Sequence, residues 1–329
     1  MTAISVTVFS DPGCPWAYSV SPSLRVLEWR YGEQLDWRLV LIGLVEQASQ
    51  YAERGYTPLR AAQSQAHFRR YGMPFAPQPK ERTSATARAC RAVVAARLLE
   101  PGSEWRVFRA LQLANFTTPL LLDDDVQIAE TLRQLPGVDA DAIVARLDDQ
   151  DVSDAYERDK AEARSAAGSA AELQQKTAQT DGPVRFTAPS LVFERDGQRL
   201  IAGGFQPIEA YDVLIANLDP GLERQPAPET PAPLLERFHN GLTTQEVAAL
   251  LVKGNDPADR LAAENALLEL LAEGAAIRTP LGDDALWQPA ATVGLTGPKE
   301  PESAPEDGSQ STPGAYCPID PRSLGGAAS

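Results

Sequence analysis

Residues 4–18 read Ile-Ser-Val-Thr-Val-Phe-Ser-Asp-Pro-Gly-Cys-Pro-Trp-Ala-Tyr, and this stretch limits the fold more than any other. Residues 4–9 alternate apolar and small polar side chains, as a strand in a sheet does. Asp11-Pro12-Gly13 breaks that pattern. Residues 22–31 then place Leu24, Leu27 and Tyr31 at helical spacing. Cys14 is therefore expected in the first turn of a helix that follows a strand. Unpaired backbone N–H groups and the positive end of the helix dipole favour a thiolate there. The expectation is a pKa below the free value of roughly 8.5 and a reactive thiol. A lone cysteine is otherwise a small buried hydrophobe; the turn and the flanking Pro15-Trp16 favour the functional reading. Trp16 has a packed core aromatic as its alternative, and Asp11 reads as a capping or turn residue.

With 329 residues and 43% apolar side chains, the chain can build one large domain with an appendage, or two domains. A net charge of −15 argues against nucleic acid and anionic membranes as partners, because phosphate contacts need a basic face. Residues 1–3 run straight into the first strand, without a basic and then apolar leader. No apolar run reaches the roughly 20 residues of a membrane span. Cys14, Cys90 and Cys317 are far apart and odd in number, unlike a secreted disulfide framework. These features point to a cytoplasmic protein. With only His67 and His239 and no close cysteine pair, no zinc site is expected.

Residues 35–42 read as a second strand whose apolar run becomes continuous. The connection is long enough for a right-handed helical crossover, so a parallel pair is expected. Residues 51–79 are irregular, with Tyr51, Tyr56, His67, Phe68, Arg69, Arg70 and Tyr71. They read either as a lid over the thiol or as a surface helix and a proline-rich loop. Residues 83–99 form an alanine-rich helix, with Thr83-Ser84 as cap candidates and Cys90 on its core face. Helices over 105–115, after Asp123-Asp124-Asp125, over 139–148 and over 152–179 complete a helical block. The acidic triplet reads as a solvated helix start, since it lacks the Gly and Glu of a calcium loop. Strand text returns at 186–193 and 200–204, joined by Asp196-Gly197 as a hairpin turn. A helix over 208–218 follows, with Pro207 at its start.

This order is βαβ, helical block, β-hairpin, α, with Asp11-x-x-Cys14-Pro15-Trp16-x-Tyr18 in the first turn. It resembles the DsbA-like thioredoxin-fold proteins, above all their cytosolic FrnE-like and mycoredoxin-like branch. The same superfamily holds 2-hydroxychromene-2-carboxylate isomerase and the kappa-class glutathione transferases. The resemblance covers residues 1–222 and implies an α/β thioredoxin fold with an all-helical insertion at about residues 45–182. The usual dithiol of that family is Cys-Pro-Trp-Cys. Here Ala17 stands at the second cysteine, and a monothiol needs an external thiol to complete a turnover. The resemblance also marks Ala188-Pro189 as the second half of the site, where a cis-proline faces the cysteine. In that geometry the backbone of Ala188 would pair with an extended substrate.

Residues 223–233 form a proline-rich linker. Beyond it, helices over 234–238, 243–251 and 258–273 and a hairpin within 275–288 resemble a winged helix, so residues 234–292 are expected to be a small winged-helix-like domain. Thr243-Thr244-Gln245-Glu246 is a capping-box-like start. Around the third helix Asp256, Asp259, Glu264, Glu269 and Glu273 outnumber Lys253 and Arg260, and Asp283-Asp284 forms the wing tip. Such charges oppose DNA contact; protein contact or a homodimer through this module is the expectation. Residues 293–329 read as a disordered tail. Cys317 reads as an incidental tail cysteine, with a mobile resolving thiol for Cys14 as the alternative.

The resemblance implies a cytosolic monothiol thiol–disulfide oxidoreductase. Cys14 would be the nucleophile, and Pro15, Trp16, Ala188 and Pro189 would bind a thiol- or disulfide-bearing protein or small molecule. No tightly bound cofactor is implied; glutathione or mycothiol would serve as co-substrate. One alternative is a glutathione-dependent isomerase or transferase of the kappa type, although a serine usually stands at the place of Cys14 there. The other is a non-catalytic thioredoxin-fold adaptor.

Overall fold

The computed structural model describes residues 3–254 and 256–290. The chain begins β1 (Ile4–Ser10), α1 (Pro15–Ser19), α2 (Ser21–Tyr31) and β2 (Leu35–Leu41). A helical block follows: α3 (Ser49–Glu53), α4 (Pro58–Phe68), α5 (Ala87–Leu99), α6 (Glu104–Thr117), α7 (Asp125–Leu132), α8 (Ala140–Ala145), α9 (Gln150–Ala163) and α10 (Ala170–Leu173). The chain then returns to strands with β3 (Thr177–Ala178), β4 (Arg185–Phe186), β5 (Ser190–Arg195) and β6 (Gln198–Gly203), before α11 (Ile208–Leu218). The last elements are α12 (Ala232–Arg237), β7 (Leu242–Thr243), α13 (Thr244–Leu250), α14 (Arg260–Ala272), β8 (Ala276–Leu281) and β9 (Asp284–Pro289).

The main sheet has the order β2-β1-β5-β6. β1 and β2 are parallel, as the crossover length requires, whereas β5 runs antiparallel to both β1 and β6. Alternation along β1 sends Ile4, Val6 and Val8 to one face, where Leu27 and Tyr31 of α2 and Tyr211 and Ile215 of α11 cover them. Phe9 points the other way, with Val40, Ile42 and Val192, toward Ala163, Ala166 and Phe186. A sheet covered by helices on both faces is the outcome. The β5–β6 hairpin turns at Asp196 and Gly197, both with positive φ, the geometry that an Asp-Gly pair accepts.

Several sequence expectations are corrected. The helix after Cys14 is not continuous: α1 stops at Ser19 and α2 restarts at Ser21, because Pro22 cannot donate to the preceding turn. Thr83 and Ser84 do not cap α5, which starts at Ala87. Residues 152–179 are not one helix: α9 ends at Ala163, and Thr177–Ala178 pairs antiparallel with Arg185–Phe186. The expected tail over 293–329 and Cys317 lie outside the described residues.

Residues 232–289 contribute three helices and a three-stranded sheet of order β7-β9-β8. Thr243 and Glu246 close a full capping box on α13. Val26 and Trp29 of α2 join the core of this module beside Leu242, Val247 and Trp287. The linker is pinned as well, since Gln225 N donates to Arg30 O at 2.8 Å and Trp29 Nε1 to Pro226 O at 2.9 Å. Gly282 (φ +58) lies so close to the 69–75 segment that a Cβ there would sit 2.9 Å from the Phe75 carbonyl carbon. Among the described residues no helix is long and apolar enough to cross a membrane.

Candidate active site

Sheet register builds the site. β1 delivers Cys14 just beyond its C-terminal end, and the pairing of Phe9 with Ser190 sets the start of β5 beside that end. The residues just before β5 therefore face the Cys14 turn. The Ala188–Pro189 peptide bond there is cis. Cys14 Sγ donates to Ala188 O at 3.1 Å, across 174 residues of chain.

Cys14 is the N-cap of α1, and Pro15 follows at the first helical position. The turn itself is held by Asp11, whose Oδ1 accepts from Gly13 N at 2.8 Å. Oδ2 accepts from Leu44 N at 2.8 Å and from Thr86 Oγ1 at 2.9 Å, with Cys90 Sγ at 3.6 Å. Asp11 is fully buried. Thr86, which gives α5 no side-chain cap, spends its hydroxyl on Asp11 instead.

The expected depression of the Cys14 pKa is overturned. Burial pushes the thiol up to about 12, and the charge of Asp11 adds to the rise. The backbone N–H groups of Ala17 and Trp16 and the charge of Arg185 act in the opposite direction and do not compensate. The physical reason is local: Cys14 is 7% exposed, α1 has five residues, and the Sγ proton is already donated to a carbonyl. The resting group is a thiol.

Trp16 is 38% exposed and is not a core aromatic. Its ring meets Phe68 at 4.9 Å, Tyr71 at 5.4 Å and Phe205 at 5.5 Å. Phe68 and Tyr71 belong to the 51–79 segment, and α4 packs on α1. Ala17, at the place of a second cysteine, is buried in the core with Phe9 and Phe186. On the other side of Pro15 a pocket of about 150 Å³ is lined by Gly13, Tyr51, Tyr56, Ala62 and Lys80 among others. Burial lowers the Lys80 pKa to about 8, although its ammonium donates to Asn115 Oδ1 and Leu120 O.

Sequence reasoning did not find Thr86, Lys80, Phe205, Arg185 or the contacts of Asp283 with Arg69 and Phe75. Arg185 alone left a trace, a cation embedded in apolar strand text four residues before the proline.

A cysteine at a strand-to-helix turn, held against the carbonyl that precedes a cis-proline on a neighbouring strand, defines a thioredoxin-type thiol site on a thioredoxin-like fold. Residues 5–167 match the family model described as the DSBA-like thioredoxin domain. Three solved structures are similar to this chain. A candidate protein disulfide isomerase from Nitrosomonas europaea is 18% identical, with a TM-score of 0.50, covering 65% of this chain and 97% of its own. The cytosolic disulfide reductase DsbM from Pseudomonas aeruginosa is 18% identical with a TM-score of 0.46, covering 65% and 98%. A candidate DsbA oxidoreductase from Streptomyces coelicolor is 18% identical with a TM-score of 0.49, covering 66% and 91%. No curated protein matches the sequence.

Proposed function

We propose that the chain is a monothiol thiol–disulfide oxidoreductase that uses a low-molecular-weight thiol, such as glutathione or mycothiol, as co-substrate. The observation that carries this reading is Cys14 Sγ at 3.1 Å from Ala188 O beside Pro189, with Ala17 where a resolving thiol would stand. A docked chain whose N–H bonds the Ala188 carbonyl takes that acceptor from the thiol, whose proton then leaves to solvent. The Cys14 thiolate attacks one sulfur of a mixed disulfide P–S–S–G, where G is the small thiol, forming Cys14–S–S–G and releasing P–S⁻. A second G–S⁻ attacks that bond, releasing G–S–S–G and restoring the Cys14 thiolate. The net change is P–SSG + GSH → P–SH + GSSG, so oxidation and reduction balance. Pro15, Trp16, Ala188 and Pro189 form the substrate wall. Such chemistry suits the cytoplasm, where such thiols are kept reduced.

The order helix, strand, helix, helix, strand, strand over 232–289 supports reading this part as a winged-helix-like module for protein contact. Its α14 carries Glu264 and Glu269 and is followed by Glu273, a poor surface for phosphates.

The test is reduction of a glutathionylated peptide, with glutathione supplied and oxidised glutathione measured. The wild type should turn over and Cys14→Ser should fall to background; equal rates in both would sink the reading. The raised Cys14 pKa favours a second reading, a scaffold without exchange chemistry. That reading predicts no turnover by a folded wild type.

A further inference from the structure

The pocket of about 150 Å³ against the Cys14 turn differs in charge from the rest of the chain. Gly13 and Pro15, the two neighbours of Cys14, both form its wall. A Cβ on Gly13 would sit 2.5 Å from Thr86 Cγ2 and 3.3 Å from Leu122 Cδ1, and those two side chains line the same pocket. The turn that carries the thiol is therefore one side of it. The whole sequence holds 45 acidic and 30 basic side chains. Among the described residues, however, the pocket wall holds Lys80 and Arg82 and no carboxylate. Ser64, Gln65, Gln78 and Thr83 add neutral hydrogen-bond donors.

The two cations differ. Arg82 is matched: its Nη1 meets Asp123 Oδ1 at 2.8 Å, and the other Asp123 oxygen accepts from Ala85 N at 2.8 Å. Lys80 donates to Asn115 Oδ1 at 2.7 Å and to Leu120 O, both neutral acceptors. An ammonium has three N–H donors, so one is left. Among the described residues Asp123 is the one carboxylate whose charge acts on Lys80, and it is already in contact with Arg82. Two cations thus face one anion. Asp11 lies under the turn, accepts from Gly13 N and Thr86 Oγ1, and is not part of the wall. Burial lowers the Lys80 pKa to about 8, which still leaves the group mostly charged at neutral pH. A part-buried ammonium short of an anion is costly where a neutral side chain of its length would not be, so its place on a pocket wall points to a ligand.

We infer that this pocket takes the terminal carboxylate of the small thiol that exchanges with Cys14, with Lys80 as its countercharge. The inference rests on the proposed exchange reaction and narrows its co-substrate. A cavity of about 150 Å³ is the size in which an engineered apolar site holds benzene, so one short arm enters and a whole tripeptide does not. A glycinate end is of that size. Its carboxylate accepts from the free Lys80 N–H and from the hydroxyls of the wall. Because Gly13 and Pro15 flank Cys14, a molecule anchored there keeps its sulfur end beside the thiol. Glutathione carries such an end. Mycothiol, whose cysteine is capped by sugars and an acetyl group, has no carboxylate. The acidic thiol is the one selected.

The test is titration calorimetry of the full-length chain with S-methylglutathione, a thioether that cannot exchange, so binding is read apart from turnover. The wild type should bind it at millimolar concentration or below. Lys80→Gln should weaken binding about tenfold, the loss of one charge-assisted hydrogen bond, and Lys80→Arg should restore most of it. The diamide of the same probe, which lacks both carboxylates, should bind the wild type and Lys80→Gln alike. Near-UV circular dichroism and urea unfolding check that both variants are folded. No binding by the wild type, or an equal loss for probe and diamide in Lys80→Gln, overturns the inference and leaves Lys80 a structural residue. Lys80-dependent binding by a wild type that cannot reduce mixed disulfides keeps the pocket and sinks the exchange reaction. Turnover with glutathione at a KM unchanged in Lys80→Gln does the reverse.

Discussion

Asp11 and Cys14 are coupled opposites: one carboxylate satisfied by several donors, one thiol shut away from water. Burial raises the Asp11 pKa, and the N–H groups of Leu44 and Gly13 with the Thr86 hydroxyl pull it back. Asp11→Ala strands those donors inside the protein, so a loss of about 3 kcal/mol is expected in urea unfolding. For Cys14 the sign is simple. With its pKa raised to about 12, the thiolate fraction grows throughout the accessible range. Cys14 labelling should rise about tenfold per pH unit across neutrality and show no plateau below about pH 10. A plateau near pH 7 would show a thiolate already formed in the resting protein. Cys14, Pro15 and Trp16 were legible in the sequence because they are neighbours in a turn. The pKa of the thiol was not, because burial by distant segments sets it.

The segment from Phe68 to Phe75 joins the thiol site to the C-terminal module. At one end Phe68 and Tyr71 lie on Trp16. At the other, Phe75 N donates to Asp283 Oδ1 at 2.7 Å, Asp283 N donates to Phe75 O at 3.1 Å, and Arg69 pairs with Asp283 Oδ2 at 2.8 Å. Arg260 adds a bond to Gly72 O at 3.3 Å. Asp283 thus ties down this segment, where the sequence alone offered only an acidic pair that opposes DNA. Asp283→Ala removes the side-chain bonds and keeps the backbone one. It should label faster at Cys14 and exchange amide hydrogens faster over 68–75, at a cost of about 1–2 kcal/mol in global stability. Unchanged labelling with a loosened segment would show that residues 68–75 do not control access.

A single buried ion pair joins three parts of the molecule. Glu246 of α13 accepts from Arg109 of α6 at 2.7 Å through each oxygen, and from Ser21 of α2 at 2.5 Å. Burial would raise its pKa, but the charge and hydrogen bonds of Arg109, with Arg25 and Ser21, hold it down to about 2. A carboxylate with a depressed folded pKa stabilises the protein above its unfolded value. That contribution is lost as pH falls from about 4.5 toward 2, on the order of 3 kcal/mol. Urea midpoints should therefore drop across that window. Glu246→Gln should already cost about 3–5 kcal/mol at pH 7, by leaving Arg109 buried and unpaired, and should flatten the acid dependence. An unchanged acid profile would show that other carboxylates dominate it.

Local pattern was enough for the strands around residues 4–10 and 35–41, the Asp-Gly hairpin and the capping box on α13. Each depends on side-chain alternation or on a few adjacent residues. The Cys-Pro-Trp turn was legible for the same reason. Only the folded chain decided that the helix breaks at Val20 between α1 and α2, that Cys14 is a protonated thiol, and that the C-terminal module holds residues 69–75. The reason is distance: Cys14 with Ala188, Arg109 with Glu246, and Phe75 with Asp283 meet across 174, 137 and 208 residues. Charge burial and desolvation depend on such meetings, and no periodicity in the chain encodes them.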